Sequence, residues 1–266
     1  MKEKVEVLIS AMHQKDFSIF EKTNISTDAL LINQCDFDAY KEKQTNTGIW
    51  RIFSTKERGL SRSRNMALQN ARNSIILICD DDENLYDGYE NKILDAYKKY
   101  PQADILCFQM IIGDKTYSDK PCRIGYLKSL RISSWQLTMR VDSIVRAGIK
   151  FDVNFGSGTP LGSGEENIFM YECLKAGLKI YYVPVCLGEI IRVGSGWFKG
   201  FNEEYFFNRG KIIRRMMNPV MGFFYCMYFV FTKQKLYRDT ISLSGALSKI
   251  MEGFTDKNRR GKNPGG

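Results

Sequence analysis

Short apolar runs that end in polar residues recur along the first 190 residues. These runs predict six buried strands, over residues 5–9, 29–32, 49–53, 74–79, 105–112 and 179–183. Apolar residues at helical spacing predict three helices between them, over residues 62–71, 89–100 and 165–176. We place the N-cap of the first helix at Ser61 and the end of the last strand at Pro184. The alternation predicts an α/β fold with a mixed sheet and helices on both faces.

Four consecutive carboxylates follow the fourth apolar run directly. They are Asp80, Asp81, Asp82 and Glu83. Adjacent like charges repel one another, and solvent or a bound cation reduces this cost. Because Mg²⁺ and Mn²⁺ bind one or two carboxylates together with substrate phosphates, the cluster is a candidate metal site. The alternative is a solvated acidic turn that leads into the next helix.

A second acidic pair, Glu165 and Glu166, follows a glycine-rich loop over residues 155–164. The pair opens a predicted helix, where the helix dipole by itself favours carboxylates. One of the two is also a candidate general base beside a loop that closes over substrate. Spacing alone does not choose between these interpretations.

Composition narrows the class of protein. The chain is 44% hydrophobic, 13% aromatic and 26% charged, which excludes disordered, collagen-like and coiled-coil classes. The 7 cysteines are odd in number and lack CxxC spacing, so we expect neither a disulfide framework nor a zinc site. This use of cysteine fits a reducing cytoplasm. The first residues alternate charged and apolar side chains, which predicts a strand there and not a secretion signal.

Several motifs occur in one order along the chain. They are Gly59-Leu60-Ser61-Arg62-Ser63-Arg64-Asn65, the run from Leu77 to Glu83, Gly164-Glu165-Glu166, and the strand ends at residues 7–13 and 31–34. With these motifs, residues 5–200 resemble the inverting glycosyltransferases of family 2, which have the GT-A fold. The resemblance implies a metal-dependent transfer of a sugar from a nucleotide-sugar, expected to be UDP-linked, to a hydroxyl group.

The resemblance also implies roles for individual residues. Those implied to bind the nucleotide-sugar are Ala11, Met12, Asn33, Arg64, Asp80 and Asp81. Asp82 and Asp80 would hold Mn²⁺ or Mg²⁺, and Glu166, or else Glu165, would be the catalytic base. The chain departs from the family at Asn33, where an aspartate is usual, and at Glu166, where the usual base is an aspartate. His13 is the only histidine, so the family's histidine after the last strand is missing.

The acceptor is less defined by these motifs. Trp197 is a candidate to stack on an acceptor sugar, and a buried core tryptophan is the alternative. The resemblance implies a glycan or polyprenyl-linked acceptor in surface polysaccharide synthesis.

Charge divides the chain into two parts. Residues 1–205 hold 27 basic and 27 acidic residues, whereas residues 206–266 hold 12 basic and 3 acidic ones, which accounts for the net charge of +9. The cations flank an uncharged aromatic stretch at 216–232, a pattern that favours a membrane surface over nucleic acid. We expect an interfacial or re-entrant helix there, with a spanning or core helix as the alternatives. A second helix is expected around residues 243–254.

These observations predict a catalytic domain at 1–205 and a membrane-associating segment at 206–266, placing the protein at the inner face of the cell membrane. Two other functions compete. A haloacid-dehalogenase-like phosphatase also carries Asp-x-Asp after a strand, but on its first strand. A non-catalytic membrane adaptor with a degenerate sugar-nucleotide fold would not need the carboxylates that this chain retains. A phosphate-binding P-loop is absent from the sequence.

Overall fold

A computed structural model describes residues 3–191, 198 and 200–256 of the 266-residue chain. The described strands are β1 (Val5–Met12), β2 (Asp28–Gln34), β3 (Ala39–Gln44), β4 (Ile49–Thr55), β5 (Ile75–Cys79), β6 (Glu83–Leu85), β7 (Ile105–Ile111), β8 (Cys122–Arg123), β9 (Leu137–Arg140) and β10 (Ile180–Ile190). The described helices are α1 (Ser18–Lys22), α2 (Leu60–Asn70), α3 (Tyr89–Lys99), α4 (Tyr126–Ser129), α5 (Val141–Ala147), α6 (Glu165–Lys175), α7 (Glu203–Met216), α8 (Pro219–Thr232), α9 (Gln234–Tyr237) and α10 (Leu243–Thr255), with a 3₁₀ turn at Ser134–Gln136.

The strands form one mixed sheet in the order β3-β4-β2-β1-β5-β9-β7-β10-β6, with β8 paired to β10. Neighbours among β4, β2, β1 and β5 are parallel, whereas β9 runs antiparallel between β5 and β7. The carboxyl ends of the parallel strands therefore lie along one edge, where ligands bind in open α/β sheets.

Helices cover both faces of the sheet, as the sequence predicts. One face packs α1 and α3 through Phe20, Ile93 and Tyr97, and the other packs α2, α5 and α6 through residues such as Leu68 and Phe169. Burial of these apolar side chains on both faces explains why the central strands consist of continuous hydrophobic runs.

Two details of the expected secondary structure are wrong. The first residue of α2 is Leu60 with Gly59 at the N-cap, so Ser61 lies inside the helix, where its hydroxyl donates to the carbonyl of Phe155. Pro184 does not end the last strand, because β10 continues to Ile190 through a register shift between residues 182 and 186. Such an irregularity tolerates a proline because the ladder hydrogen bond is already interrupted.

The C-terminal helices pack onto the glycine-rich loop and α6. Phe155 and Leu161 of the loop share one apolar cluster with Phe206, Ile212 and the buried side of α8 and α10. The predicted boundary at 205/206 falls within α7, so residues on both sides of it belong to one core. Among the described residues, no helix is long and apolar enough to cross a membrane.

Candidate active site

Polar side chains meet at the carboxyl ends of β1, β2 and β5. Ala11 pairs with Asn33 across β1 and β2, and Ile9 pairs with Cys79 across β1 and β5, so Asp80 follows at the same edge. The strand ends that the sequence singled out therefore lie side by side. Their common location comes from the parallel register, which brings residues far apart in sequence to one edge.

Arg64 connects the two acidic motifs. Its side chain is buried, with Nη2 3.1 Å from Asp80 Oδ1 and Nη1 3.1 Å from Glu165 Oε1. Its guanidinium also lies over the Phe151 ring, 5.6 Å from the centroid. Burial disfavours the charged form, but Asp80 and the glutamates outweigh it and raise the pKa of Arg64. One cation of α2 thus fixes the end of β5 against the start of α6.

The acidic turn after β5 is internally bonded. The backbone N–H of Asp80 donates to Glu83 Oε1 over 2.8 Å, and Ser134 Oγ lies 3.3 Å from Asp80 Oδ2. Glu83 is buried, and desolvation together with the charge of Asp80 raises its pKa well above the usual range. Its second carboxyl oxygen is buried without a hydrogen-bond partner among the described residues. The turn therefore concentrates negative charge in a site partly closed to water.

The acidic turn contains the carboxylates that the sequence predicts as metal ligands. Asp81 is exposed, whereas Asp80 and Asp82 are half-buried. The described residues contain no group of three His, Cys, Asp or Glu side chains placed to hold a metal by themselves. A Mg²⁺ or Mn²⁺ site that completes its ligands with substrate phosphates needs only one or two carboxylates, and such a site at Asp80 and Asp82 stays a prediction.

The two glutamates at the start of α6 differ in environment. Glu165 is buried and paired with Arg64, whereas Glu166 is half-buried and has no basic side chain within ion-pair distance among the described residues. Burial and repulsion from Glu165 raise the pKa of Glu166 to about 8. A carboxyl group with such a pKa is poised to exchange a proton near neutral pH.

Two glycines allow this close packing. Gly156 has φ +100°, and a Cβ there would lie 3.0 Å from Glu165 Cδ. Gly164 has φ +93°, and a Cβ there would lie 2.7 Å from Ile212 Cδ1 of α7. Both positions combine left-handed backbone with a crowded neighbour, so the glycine-rich loop is required for packing around α6.

The remaining predicted residues occupy different environments. Met12 is exposed beside the site, and Ala11 is buried. The Asn33 amide is also buried; its nitrogen donates to the Gln14 carbonyl and its oxygen accepts from the Gln14 N–H, both over 2.8 Å. Asn33 thus holds the loop after β1, and its contact with a nucleobase stays a prediction. Trp197 lies outside the described residues, and the exposed His13 has φ 55°.

Ser134 is a neighbour of the site that the sequence did not indicate. It belongs to a polar segment without periodicity, and only the insertion of β9 beside β5 brings its hydroxyl to Asp80. A single serine in such a segment carries no signal that could have identified it.

Comparison with known proteins gives a family match over part of the chain. Residues 35–155 match the family model described as Glycosyl transferase family 2, a span that includes the Arg64 helix and the acidic turn. The match covers less than half of the chain, and none of the curated protein sequences matches this chain. It supports glycosyltransferase activity.

Solved structures share the fold of this chain. The crystal structure of S. aureus TarS 1–349 has a TM-score of 0.62 at 14% identity, covering 95% of this chain and 81% of that chain. The same fragment in complex with UDP-GlcNAc has a TM-score of 0.63 at 14% identity, with 94% and 81% covered. For the longer TarS structure the chain covers 50% of its length, with a TM-score of 0.61 at 12% identity. The similarity confirms the expected GT-A architecture.

Proposed function

We propose that this chain is an inverting glycosyltransferase that uses a UDP-sugar and transfers the sugar to a hydroxyl of a glycan or lipid-linked saccharide. The observation that carries the proposal is Arg64, which joins the acidic turn of Asp80 to Glu165 beside Glu166. This contact supports a donor site and a catalytic base at one edge of the sheet. The TarS fragment that shares the fold has been crystallised with UDP-GlcNAc and with UDP, which supports a uridine nucleotide.

The donor side of the site consists of the strand ends and the acidic turn. Asp80 would contact the ribose, while Ala11, Met12 and Asn33 would border the base. Asp82 and Asp80 would hold Mn²⁺ or Mg²⁺, which when bound supplies positive charge to the departing diphosphate. Arg64 keeps Asp80 in place, because a buried bidentate guanidinium restricts both carboxylates that it touches.

Glu166 is the better placed of the two candidate bases. The Glu165 carboxylate is engaged by Arg64 and buried, whereas Glu166 retains solvent contact and a pKa of about 8. In the reaction, Glu166 takes the proton of the acceptor hydroxyl as its oxygen bonds to the anomeric carbon. The bond from that carbon to the phosphate oxygen breaks, and the nucleoside diphosphate leaves. A single displacement inverts the anomeric centre.

The donor site is tested by calorimetry with UDP, GDP and dTDP, each with and without Mn²⁺. We expect UDP to bind in a metal-dependent manner, and Asp82→Asn to abolish the metal dependence. Glu166→Gln should bind UDP normally, since its carboxylate contacts the acceptor side only. Loss of UDP binding in both variants would contradict this division of roles. Binding of no nucleotide by the wild type would favour the adaptor.

A membrane surface is proposed as the second partner. The outward side of α8 exposes large apolar residues, with Val220 67% and Phe224 65% exposed, and continues through Met221, Phe223, Tyr228 and Phe231. The exposed cations Lys233 and Lys235 follow immediately. An aromatic helix face beside lysines is typical of peripheral binding to anionic lipid. The opposite side of α8 packs in the core, so α8 is both a core helix and a candidate interface.

Vesicle flotation tests this surface. Phe224→Gln with Phe231→Gln should reduce binding to vesicles of anionic lipid by about tenfold or more, because two aromatic rings no longer insert. Val145→Gln is the matched control, since Val145 is 65% exposed on α5, a helix that packs against β9. Equal flotation of the double variant and the control would refute the interface.

A further inference from the structure

A cleft of about 490 Å³ opens between the glycine-rich loop and α7. The loop contributes the hydroxyls of Thr159 and Ser163, and α7 contributes Tyr205, Asn208 and Arg209. Hydroxyl, amide and aromatic groups are the side chains that bind hydroxylated rings, and a guanidinium adds a site for an oxyanion. The cleft therefore fits a saccharide-like molecule that carries negative charge.

The cleft lies next to the candidate base. Ile212 lines it and packs so closely on Gly164 that a Cβ there would be 2.7 Å from Ile212 Cδ1. Gly164 directly precedes Glu165 and Glu166 in α6. The ends of β1 and β2, where a nucleobase is expected, are built from other residues. This position favours the molecule that receives the sugar over the nucleotide that donates it.

Arg209 lacks the carboxylate partners that Lys211 and Arg215 of the same helix have. Lys211 pairs with Asp256 at 2.8 Å, and Arg215 pairs with Asp152 at 2.7 Å and with Glu172 at 2.9 Å. Within the described part of the chain, no carboxylate lies within 4.0 Å of the Arg209 guanidinium. Its Nε is buried and makes no hydrogen bond to the described residues. The charge of Arg209 is thus left without a counter-ion beside a cleft that Arg209 lines, and an oxyanion bound in the cleft would supply one.

The side chains around Arg209 support its guanidinium and leave its charge unneutralised. The guanidinium lies over the Phe229 ring, 4.8 Å from its centroid, so an aromatic face supports one side while the other can meet a ligand. Glu204 is the one acidic residue among the described lining residues, and it is exposed to solvent. The described wall therefore presents positive charge at Arg209 without a neutralising neighbour.

We propose that Arg209 binds an oxyanion, phosphate or carboxylate, on the acceptor, so that the acceptor is an anionic saccharide or polyol. This inference rests on the proposed glycosyl transfer, because it assigns the cleft to the molecule whose hydroxyl faces Glu166. Arginine suits the role, since its planar fork meets two oxygens of such a group at once. The donor diphosphate is the other source of the same chemistry, and the experiment separates the two.

Binding is measured on the full chain with Mn²⁺ and saturating UDP, so that the donor phosphate site is filled. Glucose 6-phosphate, glucuronate and glucose are the probes. We expect the two anionic sugars to bind at least about tenfold more tightly than glucose, and Arg209→Gln to remove this difference. Arg214→Gln is the matched control, because Arg214 is exposed on the same helix and carries the same charge. UDP affinity should be unchanged in both variants.

Several outcomes would overturn the inference. Equal affinity for glucose and the anionic sugars, or no binding of either, would exclude an oxyanion site. A loss of UDP affinity in Arg209→Gln would assign Arg209 to the donor diphosphate. If Arg209→Gln does not fold, Arg209→Lys keeps the positive charge without the planar guanidinium and should reduce the preference for anionic sugars over glucose in part. An unchanged preference would refute binding of two oxygens by the guanidinium. Absence of UDP binding in every form would instead refute the proposed function, and inorganic phosphate then tests Arg209 alone.

Discussion

Replacing Glu166 with glutamine should make the protein more stable at alkaline pH while slowing the reaction. The pKa of Glu166 is raised from 4.5 to about 8 by burial and by repulsion from Glu165. In the unfolded chain this carboxyl ionises near 4.5, so between pH 4.5 and 8 the folded state binds more protons than the unfolded state. The stabilising effect of the raised pKa is therefore complete below pH 4.5 and is lost as the pH rises to 8.

The magnitude follows from the same two values. Each pH unit well between these values costs the wild type about 1.4 kcal/mol of unfolding free energy, and from pH 5 to pH 8 the loss is about 3.5 kcal/mol because the slope falls near each pKa. Because Glu166 keeps partial solvent contact, which screens its charge, we expect the measured loss of unfolding free energy to be about 2–3 kcal/mol. Glutamine does not titrate, so Glu166→Gln should gain this amount relative to the wild type between pH 5 and pH 8. Its turnover should fall by about 10²–10⁴, the usual contribution of a general base.

Urea unfolding at pH 5, 6, 7 and 8, together with turnover at pH 8, measures both effects. Glu172→Gln on the same helix is the control, because we expect its effect on the pH dependence of stability to have the opposite sign. Lys175 and Arg215 hold the pKa of Glu172 below its usual range, so its contribution is present at neutral pH and is lost as the pH falls. Parallel stability curves for the wild type and Glu166→Gln would refute the environment described for Glu166. Unchanged turnover would remove it as the base.

Three further predictions concern stability, each measured by urea unfolding at pH 7. Glu6→Ala should cost about 3–5 kcal/mol, since Glu6 is buried, pairs with Arg51, and accepts from the backbone at residues 72 and 73; a loss below 1 kcal/mol would contradict this. Gly164→Ala should cost about 1–3 kcal/mol through its positive φ and its contact with Ile212, and an unchanged midpoint would show that α7 can move away. Phe169→Ala should cost about 3–5 kcal/mol, because its buried ring stacks 4.2 Å from another; wild-type stability would refute tight packing there.

Much of the sheet could be predicted from the sequence. Continuous apolar runs such as 75–79 are buried on both faces, so hydrophobicity alone marks them. Strand β3 was missed because it lies at the edge with all six residues exposed and therefore carries no apolar pattern. The short strand β9 was missed as well. It has only four residues, too few for a period to be recognised.

The candidate site, like the sheet, could be predicted from the sequence only in part. The acidic turn at Asp80 and the pair at Glu165 were found because several polar residues stand together after an apolar run or a glycine-rich loop. Arg209 was not found, because one arginine in a basic segment looks like its neighbours. Only the packing of α7 shows that Lys211 and Arg215 are paired and that Arg209 faces a cleft.

The sequence by itself therefore determined the α/β class and the types of chemical group available, since these depend on local periodicity and residue type. The tertiary structure decided which groups meet. Arg64 reaches Asp80, 16 residues away, and Glu165, 101 residues away, because α2 and α6 pack on one face of the sheet at the carboxyl end of β5. The different environments of Glu165 and Glu166 also follow from this packing. Burial and ion pairing depend on neighbours distant in sequence, and local pattern does not specify those neighbours.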